Sequence, residues 1–137
     1  MISAKLHDFI ERAVEAQHIS AEDVRDLRRD ILPDGILTRV EAEALLALDL
    51  ALGADESWTA ALTALIVDFV VWGPHSTGMV DNDEALWLTT ALDVGGPTET
   101  AMAIAYGILD EAQRVDAALL EFIMRGRRHA RLRNLAA

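Results

Sequence analysis

The 137-residue chain contains no cysteine, and this absence excludes several kinds of site. Without a thiol there can be no disulfide framework, no thiolate zinc site and no cysteine nucleophile. The sequence also lacks a Gly-x-Ser-x-Gly elbow, a Walker-type phosphate loop and a Gly-x-Gly-x-x-Gly turn. Because every common catalytic signature is missing, we predict that the chain is not an enzyme and carries no resident cofactor.

Long hydrophobic runs are also missing from the sequence. The most apolar stretch, residues 60–72, is thirteen residues long and contains Asp68, so it is too short and too polar to span a bilayer. It predicts a buried core helix with Asp68 at an outward-facing polar edge. The first seventeen residues carry charges throughout and lack the apolar segment of a signal peptide. We therefore predict no membrane span and a cytoplasmic location.

Charge is distributed unevenly along the chain, whose net charge is −11. Residues 1–124 carry −16, whereas residues 125–137 carry five arginines and no acid. We predict a single helical domain over 1–124 and a basic, Arg-rich tail over 125–137. The acidic domain argues against nucleic-acid binding, which needs a positive surface. The tail either contacts an anionic partner or pairs with the acidic domain or the C-terminal dipole of the last helix.

Apolar residues recur with helical periodicity throughout the sequence, and no segment shows the alternation of a strand. This pattern predicts an all-α fold, a compact irregular bundle of about seven helices with two pseudo-repeated helix-loop-helix units. Capping residues set expected helix starts at Ser20, Thr38 and Asp81, and the other helices are expected to begin near Ser3, Asp55 or Ser57, Thr98 and Asp116.

An internal repeat relates residues 34–50 to residues 77–93 at an offset of 43. The matched pairs are Gly35/Gly78, Leu37/Val80, Thr38/Asp81, Glu41/Glu84, Ala42/Ala85 and Leu45/Leu88. A weaker third copy begins at Gly95 or Gly96. Two copies indicate a duplicated unit rather than a solenoid, which usually needs three or more repeats.

The first copy resembles the back half of an EF-hand calcium loop. Over residues 30–41, Asp30, Asp34 and Glu41 occupy ligand positions 1, 5 and 12, whereas position 3 is Leu32, which cannot bind a cation. The resemblance implies a divalent-cation site at these three carboxylates. In the second loop, residues 73–84, only Asp81 and Glu84 are plausible carboxylate ligands. If the two loops pair as in EF-hands, Leu37 and Val80 form a short antiparallel bridge.

The same motif is similar to the signature of TerB-type tellurite-resistance domains, which are all-helical. The similarity covers roughly residues 20–125 and rests on Asp34, Gly35 and Glu41, then Gly78 and Glu84. In that family, acidic residues around the signature are implicated in divalent-cation binding. Thr77 stands where the second copy would need its aspartate, which weakens the implied site there.

Helix capping explains the same residues without a metal. Thr38-x-x-Glu41 and Asp81-x-x-Glu84 are capping-box patterns, and Asp34-Gly35 is a turn sequence. Each capped helix end would contribute about 1 kcal/mol. Of the four histidines, His7 and His18 are expected at the surface, and His75 lies in a loop beside Pro74.

Two functions therefore follow as hypotheses. The first is a non-enzymatic bacterial interaction or scaffold protein whose partner is another protein, with a homodimer left open. The second is a divalent-cation-binding, stress-related protein that uses Asp30, Asp34 and Glu41.

Overall fold

The computed structural model describes residues 2–52, 55–73 and 78–136, together with the side chains up to residue 132. The described chain is helical almost throughout, which confirms the predicted all-α class. Its α-helices are α1 (Ala4–Ala16), α2 (Ala21–Asp26), α3 (Arg39–Leu52), α4 (Glu56–Trp72), α5 (Asn82–Asp93), α6 (Glu99–Glu111) and α7 (Ala117–Ala136). A π-helical turn, Leu27–Ile31, extends α2, and two short strands are β1 (Met79–Val80) and β2 (Arg114–Val115).

Helix starts lie where the capping residues predict them. The Ser3 hydroxyl accepts from the Leu6 N–H at 3.2 Å, and Ser20 forms a complete capping box with Asp23. Asp55 begins α4, and its carboxylate accepts hydrogen bonds from the Ser57 hydroxyl and from two backbone N–H groups. These bonds, with the Ser57 hydroxyl first, hold the pKa of Asp55 below its ordinary value because they favour the charged form.

The chain divides into two compact units, and the first comprises residues 1–69. Its core contains the fully buried Trp58 of α4, whose ring stacks on Phe9 of α1 with centroids 6.4 Å apart. The Trp58 indole N–H donates to Asp49 at 3.0 Å, so the one polar atom of this large side chain is satisfied. Asp68 is exposed on α4, as its polar character predicts.

The second unit comprises residues 70–137, and in it α7 packs against α5 and α6. Gly126 of α7 permits this close approach, because a Cβ there would overlap the Met102 side chain of α6. Arg125 of α7 pairs with Asp93 of α5 at 3.6 Å. The residues predicted as a basic tail therefore continue α7 without a break, at least to Ala136. The single domain over 1–124 stays a prediction.

The predicted antiparallel bridge between Leu37 and Val80 is wrong. In the described chain, β1 pairs in parallel with β2, and Val80 lies opposite Val115. Adjacent hydrogen bonds extend this pairing, from the Gln113 N–H to Gly78 and from the Asp116 N–H to Val80. The physical reason is that Val80 and Val115 each precede a helix of the same unit. Pairing them in parallel therefore places the N-termini of α5 and α7 side by side, and Asn82 donates to Asp116 at 3.2 Å.

The internal repeat is visible in the backbone. Gly35 and Gly78 adopt φ angles of 79° and 85°, a left-handed conformation that side chains disfavour. Each glycine comes three residues before a helix cap, Thr38 or Asp81. Within the described ranges, no helix has both the length and the apolar character needed to cross a membrane.

We expect alanine to be tolerated better at Gly35 than at Gly78. Nothing lies within 4 Å of a Cβ built on Gly35, whereas one built on Gly78 would lie 3.1 Å from the Trp72 ring. Gly35→Ala should therefore lower the free energy of unfolding by about 1 kcal/mol, the cost of the left-handed conformation. Gly78→Ala adds crowding and should cost about 2–3 kcal/mol. Chemical denaturation measures both variants, and equal losses would contradict the proposed contact with Trp72.

Candidate functional site

The Glu41 carboxylate accepts hydrogen bonds from the backbone at the start of α3. The side chain is only 9% exposed, and its Oε1 accepts from the backbone N–H groups of Leu37 at 2.9 Å and Thr38 at 3.1 Å. In return, the Glu41 N–H donates to the Thr38 hydroxyl at 3.2 Å. This reciprocal pair is a capping box, extended by the second bond from Leu37. Hydrogen bonds to backbone N–H groups therefore explain why Thr38 and Glu41 stand at these positions, without a bound metal.

The two aspartates predicted to share a cation with Glu41 are both exposed. Asp30 lies on the π-helical turn and pairs with the neighbouring Arg29, whose Nη2 is 3.3 Å from its Oδ2. The hydrogen bond that Arg29 donates to the Asp30 carboxylate, followed by the negative charge of Asp30, raises the pKa of Arg29. Asp34 lies in the turn before α3. The structure thus gives each of the three carboxylates a separate environment, and cation binding by them stays a prediction.

The one group of three metal-ligand side chains that lies close together within the described residues is His7, Asp8 and Glu11. All three are exposed on α1, and His7 Nε2 is 3.6 Å from Glu11 Oε1. Asp8 and Glu11 border an open groove of about 340 Å³ between α1 and the π-helical turn, which Lys5 and Arg12 also line. Exposed charges of both signs along one helix are typical of a solvated surface.

The second loop, residues 73–84, contains a helix cap, but the structure describes only part of the predicted cation loop. Residues 74–77, which include His75 and Thr77, lie outside the described residues. Asp81 caps α5 by accepting from the Glu84 N–H at 2.9 Å. The described part of this loop therefore supports capping and the pairing of β1 with β2.

The outward side of α7 is a feature that the sequence reasoning missed. Leu119, Phe122, Ile123 and Gly126 form the buried side of the helix. On the opposite side, Leu120, Met124 and Leu132 are 43%, 61% and 66% exposed. Their spacing of four and eight residues was a readable signal, because it places them on one helical face outside the core stripe.

Three arginines accompany these apolar side chains on α7. Arg127, Arg128 and Arg131 are exposed, and within the described part of the chain none makes a hydrogen bond or an ion pair. Arg125 differs, since it pairs with Asp93 and stacks over the Phe122 ring. We call the exposed side chains Leu120, Glu121, Met124, Arg127, Arg128, Arg131 and Leu132 the outer face of α7.

Comparisons with protein-family models, curated proteins and solved structures found no match for the chain. The resemblances to EF-hand loops and to TerB-type domains therefore rest on the short motifs alone and stay hypotheses.

A cation titration tests the first loop. Because Glu41 already binds two backbone N–H groups, we expect millimolar calcium, magnesium or manganese to leave the melting temperature of the chain unchanged. Asp34→Asn is the matched control, since it removes one predicted ligand charge and keeps the turn chemistry. A stabilisation by metal that Asp34→Asn abolishes would contradict the capping interpretation and support the cation site.

Proposed function

We propose that the chain is a non-enzymatic interaction module that binds a protein surface through the outer face of α7. The observation that carries this proposal is the cluster of three arginines that form no ion pair with any described residue, in a chain of net charge −11. Acidic groups are abundant in this chain, yet none described lies against Arg127, Arg128 or Arg131. Such a surface suits a partner that supplies the missing acidic groups.

Intramolecular electrostatics does not explain the arginine cluster. Arg127 and Arg131 are four residues apart on one helix, a spacing at which like charges cost about 0.2–0.5 kcal/mol. The C-terminal dipole of α7 favours cations only within the last turn, and Arg127 and Arg128 precede Ala136 by more than two turns. The ion pair between Arg125 and Asp93 accounts for one arginine of the helix.

Exposed apolar side chains favour a protein as the partner. Leu120, Met124 and Leu132 share the outer face with the arginines, and burying them requires a surface that excludes water. Arginine and methionine are both enriched in protein interfaces. A purely electrostatic contact with phosphates would involve the arginines and leave the apolar side chains exposed to water.

Affinity purification with two charge-reversed variants tests the proposal. The first variant is Arg127→Glu/Arg128→Glu/Arg131→Glu, and the matched control is Arg12→Glu/Arg25→Glu/Arg28→Glu, which changes the net charge equally at exposed positions of the first unit. We expect the wild-type chain and the control to retain the same bound proteins, other copies of the chain included, and the α7 variant to lose at least about 90% of them.

Circular dichroism should show equal helix content in all three proteins. Recovery of the same proteins by the α7 variant, or no bound protein with any form, would contradict the proposed function.

A further inference from the structure

We infer that the outer face of α7 binds a second copy of this chain, with the two α7 helices antiparallel across a two-fold axis. This inference rests on the proposed function of that face and names its partner. A two-fold contact requires a surface that is complementary to itself, so that each residue finds its match on the other copy. The outer face of α7 has this property.

Opposite charges on the outer face match when the axis lies between residues 124 and 125. Glu121 and Arg128 are both exposed and seven residues apart, so two helical turns separate them on one side of the helix. In an antiparallel pair, Glu121 of each copy then lies opposite Arg128 of the other. The contact contains two symmetric ion pairs and no juxtaposed like charges at these positions.

Apolar side chains occupy the remaining positions of the same contact. Met124, 61% exposed, lies next to the axis and would pack against Met124 of the second copy. Leu120 would face the aliphatic stems of Arg127 and Arg131 of that copy, which can cover apolar surface while the guanidinium groups stay in water. One arrangement thus pairs the charges of Glu121 and Arg128 and covers the apolar side chains of Leu120 and Met124.

An anionic lipid or a nucleic acid matches the face less well. Either would place phosphates against the exposed Glu121 carboxylate, which repels them. One helix pair buries less than the roughly 800 Å² per partner of a standard interface. The expected dimer is therefore weak, with a dissociation constant of about 10–100 μM.

Sedimentation equilibrium tests the charge pairs. Between about 5 and 500 μM, the wild-type chain should pass from monomer to dimer. Glu121→Arg and Arg128→Glu alone should each weaken dimerisation about tenfold, because each places like charges opposite one another. The double reversal Glu121→Arg/Arg128→Glu should restore the dimer to within about threefold of wild type. Arg25→Glu, at an exposed position of α2, is the control that should leave dimerisation unchanged.

Cysteine cross-linking tests the direction of the helices, and the absence of native cysteine makes each introduced thiol unique. Met124→Cys should form a disulfide-linked dimer on mild oxidation, because two Met124 positions meet at the axis. Leu132→Cys should not, since antiparallel helices hold its two copies about 22 Å apart along the axis. Efficient cross-linking through Leu132→Cys would indicate a parallel pair and overturn the antiparallel arrangement.

Other outcomes also overturn the inference. A chain that stays monomeric at every concentration would do so, as would a dimer that is unaffected by the single reversals or not restored by the double one. If a monomeric chain bound anionic vesicles or duplex DNA and Arg128→Glu abolished this binding, the partner of the outer face would be phosphate and not a second copy. If the chain is monomeric but the purification still recovers proteins through α7, the inference fails while the proposed function stands.

Discussion

The first backbone N–H groups of every helix need acceptors, and this requirement governs the whole structure. All seven described α-helices begin with a side chain that accepts from the first turn. The seven capping residues are Ser3, Ser20, Thr38, Asp55, Asp81, Thr98 and Asp116. Because a helix in this chain is often only twelve to fourteen residues long, tertiary packing and correct ends matter more than intrinsic propensity.

The repeated motif is one instance of that requirement. Gly35 and Gly78 turn the chain through a left-handed conformation, and Thr38 and Asp81 then cap the next helix. The same chemistry could be mistaken for a cation loop, because a capping carboxylate and a ligand carboxylate stand at the same sequence position. A capping carboxylate and a ligand carboxylate differ in the group that they face. Glu41 faces the backbone N–H groups of Leu37 and Thr38.

The helix starts could be predicted from sequence because capping is local, acting between residues two or three positions apart. The partner of β1 could not, since Val80 and Val115 are separated by two helices and nothing in their own composition selects parallel pairing. A Val-Asp pair precedes both α5 and α7, but this dipeptide does not by itself specify that the two valines pair. The π-helical turn after α2, which carries Asp30, also depends on packing that periodicity does not encode.

The sequence predicts the arginines of the outer face of α7 but not which of them lie unpaired at the surface, because that also depends on packing. The arginines are obvious in the composition of residues 125–137, but their meaning depends on which residues are already paired. Arg125 reaches Asp93 because α7 packs beside α5. Arg127, Arg128 and Arg131 are left facing outward with Met124. The packing of α7 against α5 and α6 therefore determines which of its side chains remain for a partner.

A double-mutant cycle between Thr38 and Glu41 tests the central claim, that the repeated motif exists to cap helices. The measurement is the free energy of unfolding of the wild type, Thr38→Ala, Glu41→Ala and the double variant, with and without millimolar calcium. Capping predicts a coupling energy of about 0.5–1 kcal/mol that is the same in both conditions, because the two side chains bind each other's backbone. No coupling, or a coupling that arises only with calcium, would contradict the claim.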